Sequence, residues 1–149
     1  MHASNPNEKD VSTSYNEILS DQLYMGGMTA FVYMDIDDIE YDLWIQCSKE
    51  FTDSDTLSNV RRINIPLDDD LVSGQEKKIE DAALRALAVI ALGKRVLISC
   101  TEGRNRSGVV TARVLQLLGY KNPIELLREK RHYSVLTNSS FETYIRDRE

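Results

Sequence analysis

Apolar residues along the chain form short runs in the first half and helical periods in the second. From residue 15 to 25 a loose alternation (Ile18, Leu19, Leu23, Met25) ends at Gly26-Gly27, which predicts two short strands or a hairpin followed by a turn. Residues 42–47 (DLWIQC) and 60–65 (VRRINI) read as strands, and 95–99 (RVLIS) reads as a buried central one. Between them, Ile79, Ala83, Leu87 and Ile90 recur at steps of three or four. They predict a helix over 73–92, with Ser73 and Glu76 at capping-box spacing and Gly93 as the stop. After the central strand, Val110, Val114, Leu117 and Leu118 line one face of a second helix ending at Gly119. A third opens with Asn122 as cap, Pro123 in the first turn and Glu125 at capping-box distance. A fourth follows Asn138, with Phe141, Tyr144 and Ile145 as its apolar stripe.

Strands early, helices late and a strand-loop-helix unit between them predict an α/β fold with a central, mainly parallel sheet flanked by helices. The 149 residues suit one domain, taken as 15–149. Residues 1–14 are polar, without periodicity, and read as a flexible tail. A net charge of -6 argues against a broad surface for nucleic acid or anionic membrane, although it leaves room for one local anion site. No apolar run is long enough to span a bilayer, and the first residues lack a basic start and apolar stretch, so a soluble, cytoplasmic protein is expected. Two cysteines do not make a disulfide scaffold, and each needs its own explanation.

Residues 96–110, VLISCTEGRNRSGVV, supply the first explanation. An apolar strand stops at Ser99, a loop of Cys100, Thr101, Glu102, Gly103, Arg104, Asn105 and Arg106 follows, and a helix opens at Ser107. Backbone N–H groups of such a loop can converge on one point, and the helix N-terminus adds its positive end there. A dianion fits that field. Gly103 lets the backbone curl and approach a ligand without a Cβ in the way. Arg106 returns a planar fork that matches two phosphoryl oxygens. The Cys100 sulfur then lies beneath phosphorus, where the nucleophile must be a thiolate and the positive end favours that form. Ser107 is positioned to donate a hydrogen bond to the sulfur, which makes it a better leaving group in a second step.

The segment CTEGRNRSG resembles the signature of the protein tyrosine phosphatase superfamily: Cys, five residues, Arg, then Ser or Thr. Average residue usage gives a chance match at the five specified positions (Cys100, Gly103, Arg106, Ser107, Gly108) of about one in ten thousand. The resemblance runs from about Ile18 to Ile145. LYMGG (23–27) is similar to the first strand of dual-specificity phosphatases, and Asn138 with Phe141 to the Asn-x-x-Phe near their C-terminal helix. The resemblance implies a compact dual-specificity type, because the chain has no room for the N-terminal region of the larger phosphotyrosine-specific enzymes. One departure stands out: Ser99 occupies the position where most members have His, and a less finely tuned sulfur is expected.

A departing alkoxide or phenoxide needs a proton, and a carboxylic acid on a flexible loop can deliver it. IPLDDD (65–70) offers Asp68, Asp69 and Asp70. In the family the acid commonly lies three residues after a Pro, which implies Asp69, counted from Pro66, with Asp68 and Asp70 as alternatives. The implied activity is hydrolysis of phosphotyrosine, and of phosphoserine or phosphothreonine, on a protein partner. Attack by Cys100 is followed by hydrolysis of the cysteinyl phosphate, with substrate held by residues 101–106, without metal or cofactor, in a monomer. Two other enzymatic readings belong to the same superfamily. Asn105 before Arg106 resembles RNA 5′-triphosphatases, and Arg104 is the one extra positive charge that a phosphoinositide phosphatase could use. A non-catalytic phosphate-binding protein is the remaining alternative. Cys47, ending the DLWIQC strand, suits a packing role. Some relatives carry a cysteine there that traps the oxidised nucleophile as a disulfide, which makes it a candidate redox partner. His2 in the tail and His132 in the basic helix end REKRH are read as surface residues.

Overall fold

The structure, a computed structural model, describes residues 15–27, 41–51 and 62–149. The expected tail (1–14, with His2) and the first two residues of the 60–65 strand lie outside them. Among the described residues five strands are ordered β1 (Tyr15–Leu19), β2 (Leu23–Gly27), β3 (Leu43–Ser48), β4 (Arg62–Leu67) and β5 (Val96–Cys100). Four helices follow the early strands: α1 (Glu76–Ala91), α2 (Arg106–Leu117), α3 (Pro123–Lys130) and α4 (Ser139–Arg146), and a short 3-10 turn (Lys49–Phe51) extends β3. The sheet order is β1-β2-β5-β3-β4, antiparallel between β1 and β2 and parallel elsewhere. An α/β fold with a mainly parallel sheet is therefore what the chain adopts.

The hairpin is real, and its turn carries Asp21 at a φ of 59°, a conformation that Asp tolerates better than most residues. Glu17 helps by accepting the Asp21 N–H at 3.0 Å. β4 runs two residues further than expected, through Pro66 to Leu67, which its place on the sheet edge permits because proline cannot donate to a second neighbour. β5 is central and buried at every position. Its register with β2 and β3 puts Val96 beside Leu23 and Leu43, and Ile98 beside Met25 and Ile45. These residues share one face with Cys47 and Cys100 and join the helices in the main core. Trp44, Leu97 and Ser99 alternate onto the other face, where the Trp44 indole N–H donates to Ser99 Oγ at 2.7 Å.

Helix α1 turns Ile79, Ala82, Ala83, Ala86 and Ile90 inward, and the small alanines let it lie close to α2. It begins three residues after Ser73, so the capping box at Ser73 and Glu76 does not form. Gln75 precedes the helix instead, and its side chain is spent on the backbone of Asp68 and Leu71. In α2, Val110, Val114 and Leu115 are buried, whereas Leu117 and Leu118 lie at the helix end and are half exposed rather than part of the packed face. Asn122 precedes α3 without a side-chain cap bond, and Glu125 turns to Arg146 at 3.0 Å. The fourth helix does follow Asn138, which caps it, its side-chain oxygen accepting from the N–H groups of Ser140 and Phe141. Among the described residues no helix is long and apolar enough to cross a membrane.

Candidate active site

The loop between β5 and α2 is shaped from outside. Arg131, at the end of α3, is buried to 1% exposure and donates from Nε to the Gly103 carbonyl at 2.9 Å and from Nη2 to the Glu102 carbonyl at 3.2 Å. The Leu136 N–H takes the Arg104 carbonyl at 3.1 Å. In a trans peptide the next N–H points opposite to the carbonyl, so three outward carbonyls turn the N–H groups of Gly103, Arg104 and Asn105 to the concave side. That is how a bowl lined with amides arises from this sequence.

Gly103 has a φ of 68° and lies on the backbone of Gly26 in β2. An added Cβ would come within 2.6 Å of the Gly26 carbonyl carbon and would strike the Arg131 guanidinium as well. Both the positive φ and the close approach therefore demand glycine here. Gly108, in the first turn of α2, is packed less tightly, an added Cβ meeting the Leu136 and Val135 side chains at 3.2 and 3.3 Å.

The bowl encloses about 180 Å³, and its walls are Asp69 and all of residues 100–106 except Gly103. Cys100, buried at the end of β5, has its sulfur 3.1 Å from Ser107 Oγ. Arg106 opens α2 and extends over the bowl. Its Nη1 and Nη2 pair with the two oxygens of Glu50 at 2.7 and 3.0 Å, and they also reach the Leu67 carbonyl and Thr101 Oγ1. Burial works against the Arg106 charge, but Glu50 together with the Cys100 and Asp69 charges outweighs it and raises the pKa. Glu50 is held at about 2, chiefly by the Arg106 hydrogen bond, against the opposing effect of desolvation.

The three aspartates separate by position. Asp68 is exposed and paired with Lys49. Asp70 lines the neighbouring surface hollow, and its carbonyl accepts from Asn138 at 2.9 Å. Asp69 is the one that faces the bowl, its Oδ1 accepting from Asn138 at 2.9 Å and its Oδ2 from Asn105 at 3.3 Å. The segment is moored from several sides: Gln75 holds Asp68 and Leu71, and the Val72 N–H donates to Ser140 Oγ at 2.9 Å. The expected flexible loop is thus a braced one. Arg104 stands at the rim, 3.5 Å from Glu102, and its Nε is buried without an acceptor among the described residues.

Cys47 is fully buried, and burial, with the Cys100 charge adding to it, pushes its thiol well above the usual range. It follows the Gln46 and Ser99 pair in register, one strand from Cys100. His132 is not a surface residue: it is 3% exposed, with Nδ1 2.5 Å from Ser134 Oγ and its ring stacked on Tyr133. The tight turn after α3 draws it inward with Arg131.

Sequence reading passed over three residues. Glu50 lies three positions past a strand with nothing local to mark it. Arg131 was hidden among the basic residues of REKRH, and Asn138 was placed before the fourth helix and in the Asn-x-x-Phe resemblance without a link to Asp69. Nothing local in that basic run marks Arg131 as buried.

No protein-family model and no curated protein matches the chain. Solved structures do. Human DUSP28 superposes with a TM-score of 0.77 at 16% identity, covering 98% of this chain and 97% of that one. A mouse putative dual specificity phosphatase complexed with zinc tungstate gives 0.77 at 17%, covering 98% and 92%. Tk-PTP in its active form gives 0.75 at 19%, covering 91% and 95%. The chain shares the fold of these solved structures.

Proposed function

We propose that the chain is a cysteine-dependent phosphatase that hydrolyses phosphotyrosine, and phosphoserine or phosphothreonine, on proteins through a cysteinyl-phosphate intermediate. The observation that carries this is the convergence of the Cys100 sulfur, Ser107, the Arg106 guanidinium and the Asp69 carboxyl on one amide-lined bowl. The Cys100 thiolate attacks phosphorus in line while Arg106 and the loop amides of residues 101–106 take up the equatorial oxygens. Asp69 protonates the leaving oxygen, then acts as base toward the water that cleaves the S–P bond. Ser107, bonded to the sulfur, stabilises the thiolate as it departs. Glu50 keeps the guanidinium plane turned to the bowl. The protein is read as a cytoplasmic monomer acting on phosphorylated protein.

Carboxylates at the mouth, Glu50 and Glu102, weigh against the polyanionic substrates of an RNA 5′-triphosphatase or a phosphoinositide phosphatase. A non-catalytic phosphate binder would have no use for a nucleophile, a cation and an acid together. Hydrolysis of p-nitrophenyl phosphate is the test. Wild type should turn over and Cys100→Ser should not, although it should still bind vanadate. Turnover that survives in Cys100→Ser refutes the nucleophile.

Cys47 is proposed as the resolving thiol. Peroxide oxidises Cys100 to the sulfenic acid, and the Cys47 thiol displaces water from it to form a disulfide. Its place one strand away, on the same face as Cys100, supports this. Peptide mapping after peroxide should find the Cys47–Cys100 link, and Cys100 found only as sulfinic acid would overturn it.

A further inference from the structure

The contacts of Asn138 exceed what a helix cap requires. Its Oδ1 accepts from the N–H groups of Ser140 and Phe141 at 3.0 and 3.3 Å, which is the capping function. Its Nδ2 reaches across to Asp69 Oδ1 and the Asp70 carbonyl, both at 2.9 Å. Its backbone N–H donates to Asn105 Oδ1 at 3.0 Å, and Asn105 Nδ2 in turn donates to Asp69 Oδ2 at 3.3 Å. Each oxygen of Asp69 therefore receives one amide N–H, from two asparagines that also hold each other.

The orientation of both amides is determined by chemistry. Helix N–H groups can only donate, so they require the oxygen of Asn138, and the NH2 group is left for the carboxylate. The Asn138 backbone N–H likewise requires the oxygen of Asn105, which turns that NH2 group to Asp69. Reversing either amide would set donor against donor. The arrangement also joins three parts of the fold: the segment after β4, the phosphate loop, and the first turn of α4.

We propose that Asn138 is the positioning residue for the general acid, fixing the Asp69 carboxyl at the rim through its own NH2 group and through Asn105. This rests on the reading of Asp69 as acid given above. A carboxyl on two rotatable bonds spends only part of its time within reach of a leaving oxygen. Two donors anchored in different elements confine it there. Asn138 touches neither phosphate nor sulfur, so its removal acts on proton delivery and not on substrate capture.

Proton delivery matters most for a poor leaving group, so kcat is compared on phenyl phosphate and dinitrophenyl phosphate. Asp69→Asn should slow phenyl phosphate by about a hundredfold and dinitrophenyl phosphate far less. Asn138→Ser keeps an oxygen that can cap the helix but cannot reach Asp69 with a donor. It should slow phenyl phosphate about tenfold, show the same discrimination between the two esters, and leave KM and the unfolding temperature near wild type. Asn138→Asp, also a good cap, gives a second test and should lose at least as much on phenyl phosphate. Equal losses on both esters in the Asn138 variants, or a loss of thermal stability alone, would reduce Asn138 to a cap and overturn the proposal. Equal losses in Asp69→Asn would instead remove Asp69 as acid, and this proposal with it.

Discussion

Two guanidiniums flank the same sulfur, and they are used in opposite ways. Arg106 lies on the concave side of the loop, paired with the Glu50 carboxylate at the mouth. Arg131 lies on the convex side, buried, with the carbonyls of Glu102 and Gly103 and the side-chain oxygen of Asn16 among its partners. Burial pushes Arg131 down to about 10, against the favourable pull of the Cys100 charge, while Arg106 is raised. Arg131 still carries its charge at neutral pH. The difference teaches that one positive charge faces the bowl and the other holds its shape, since a carbonyl held outward is an N–H turned inward.

Exchanging the headgroup on the concave side gives the sharpest break. Arg106→Lys keeps a charge but loses the two-pronged geometry, and kcat/KM should fall about a thousandfold, or about 4 kcal/mol of transition-state stabilisation, with little change in the unfolding midpoint. Steady-state kinetics beside a thermal melt checks it, and a stability loss as large as the kinetic one would erase the contrast. On the convex side the expectation reverses. Arg131→Leu strands the Gly103 and Glu102 carbonyls, the first of them buried, and should cost about 3 kcal/mol in urea unfolding, with activity falling because the bowl loosens. Gly103→Ala attacks the same contact from the loop. Strain at positive φ and collision with Gly26 should destabilise by about 2 kcal/mol, read from the same urea midpoints. The smallest effect belongs to Glu50→Gln, about fivefold in kcat/KM, because its side chain is 46% exposed. Its pH signature is more specific. With the folded pKa at about 2 against an ordinary 4.5, the Glu50 carboxylate stabilises the fold fully above pH 4.5 and loses that as pH falls toward 2. Acid unfolding of wild type and Glu50→Gln should therefore differ near neutrality and converge at the acid end.

Features legible in the sequence are those written locally. Cys100, Gly103, Arg106 and Ser107 sit at fixed spacing because a strand, a tight loop and a helix N-terminus must follow one another within a few residues. The alternation of β2, β3 and β5 and the cap at Asn138 are local too. Glu50, Arg131 and the reach of Asn138 to Asp69 depend on which strands lie side by side and where a helix ends, so they are separated in sequence by 56, 28 and 69 positions from the groups they serve. Burial misled where composition alone was read: His132 sits in a basic run yet is drawn inside, and Leu117 and Leu118 continue an apolar period past the point where the helix is covered. Asp69 could be ranked among three neighbours only by resemblance, because a run of aspartates carries no direction until the chain is folded around it.

The hydrogen bond from Arg131 to Asn16 spans 115 positions and ties the loop's outer support to the first strand. A chain emerging from the ribosome holds every residue of the loop from Cys100 to Arg106 before it holds Arg131. Cys100 is thus made before its loop can be braced, and contacts of such long range are slow to form. The shape of the loop is therefore settled only once the first strand and the turn after α3 have met.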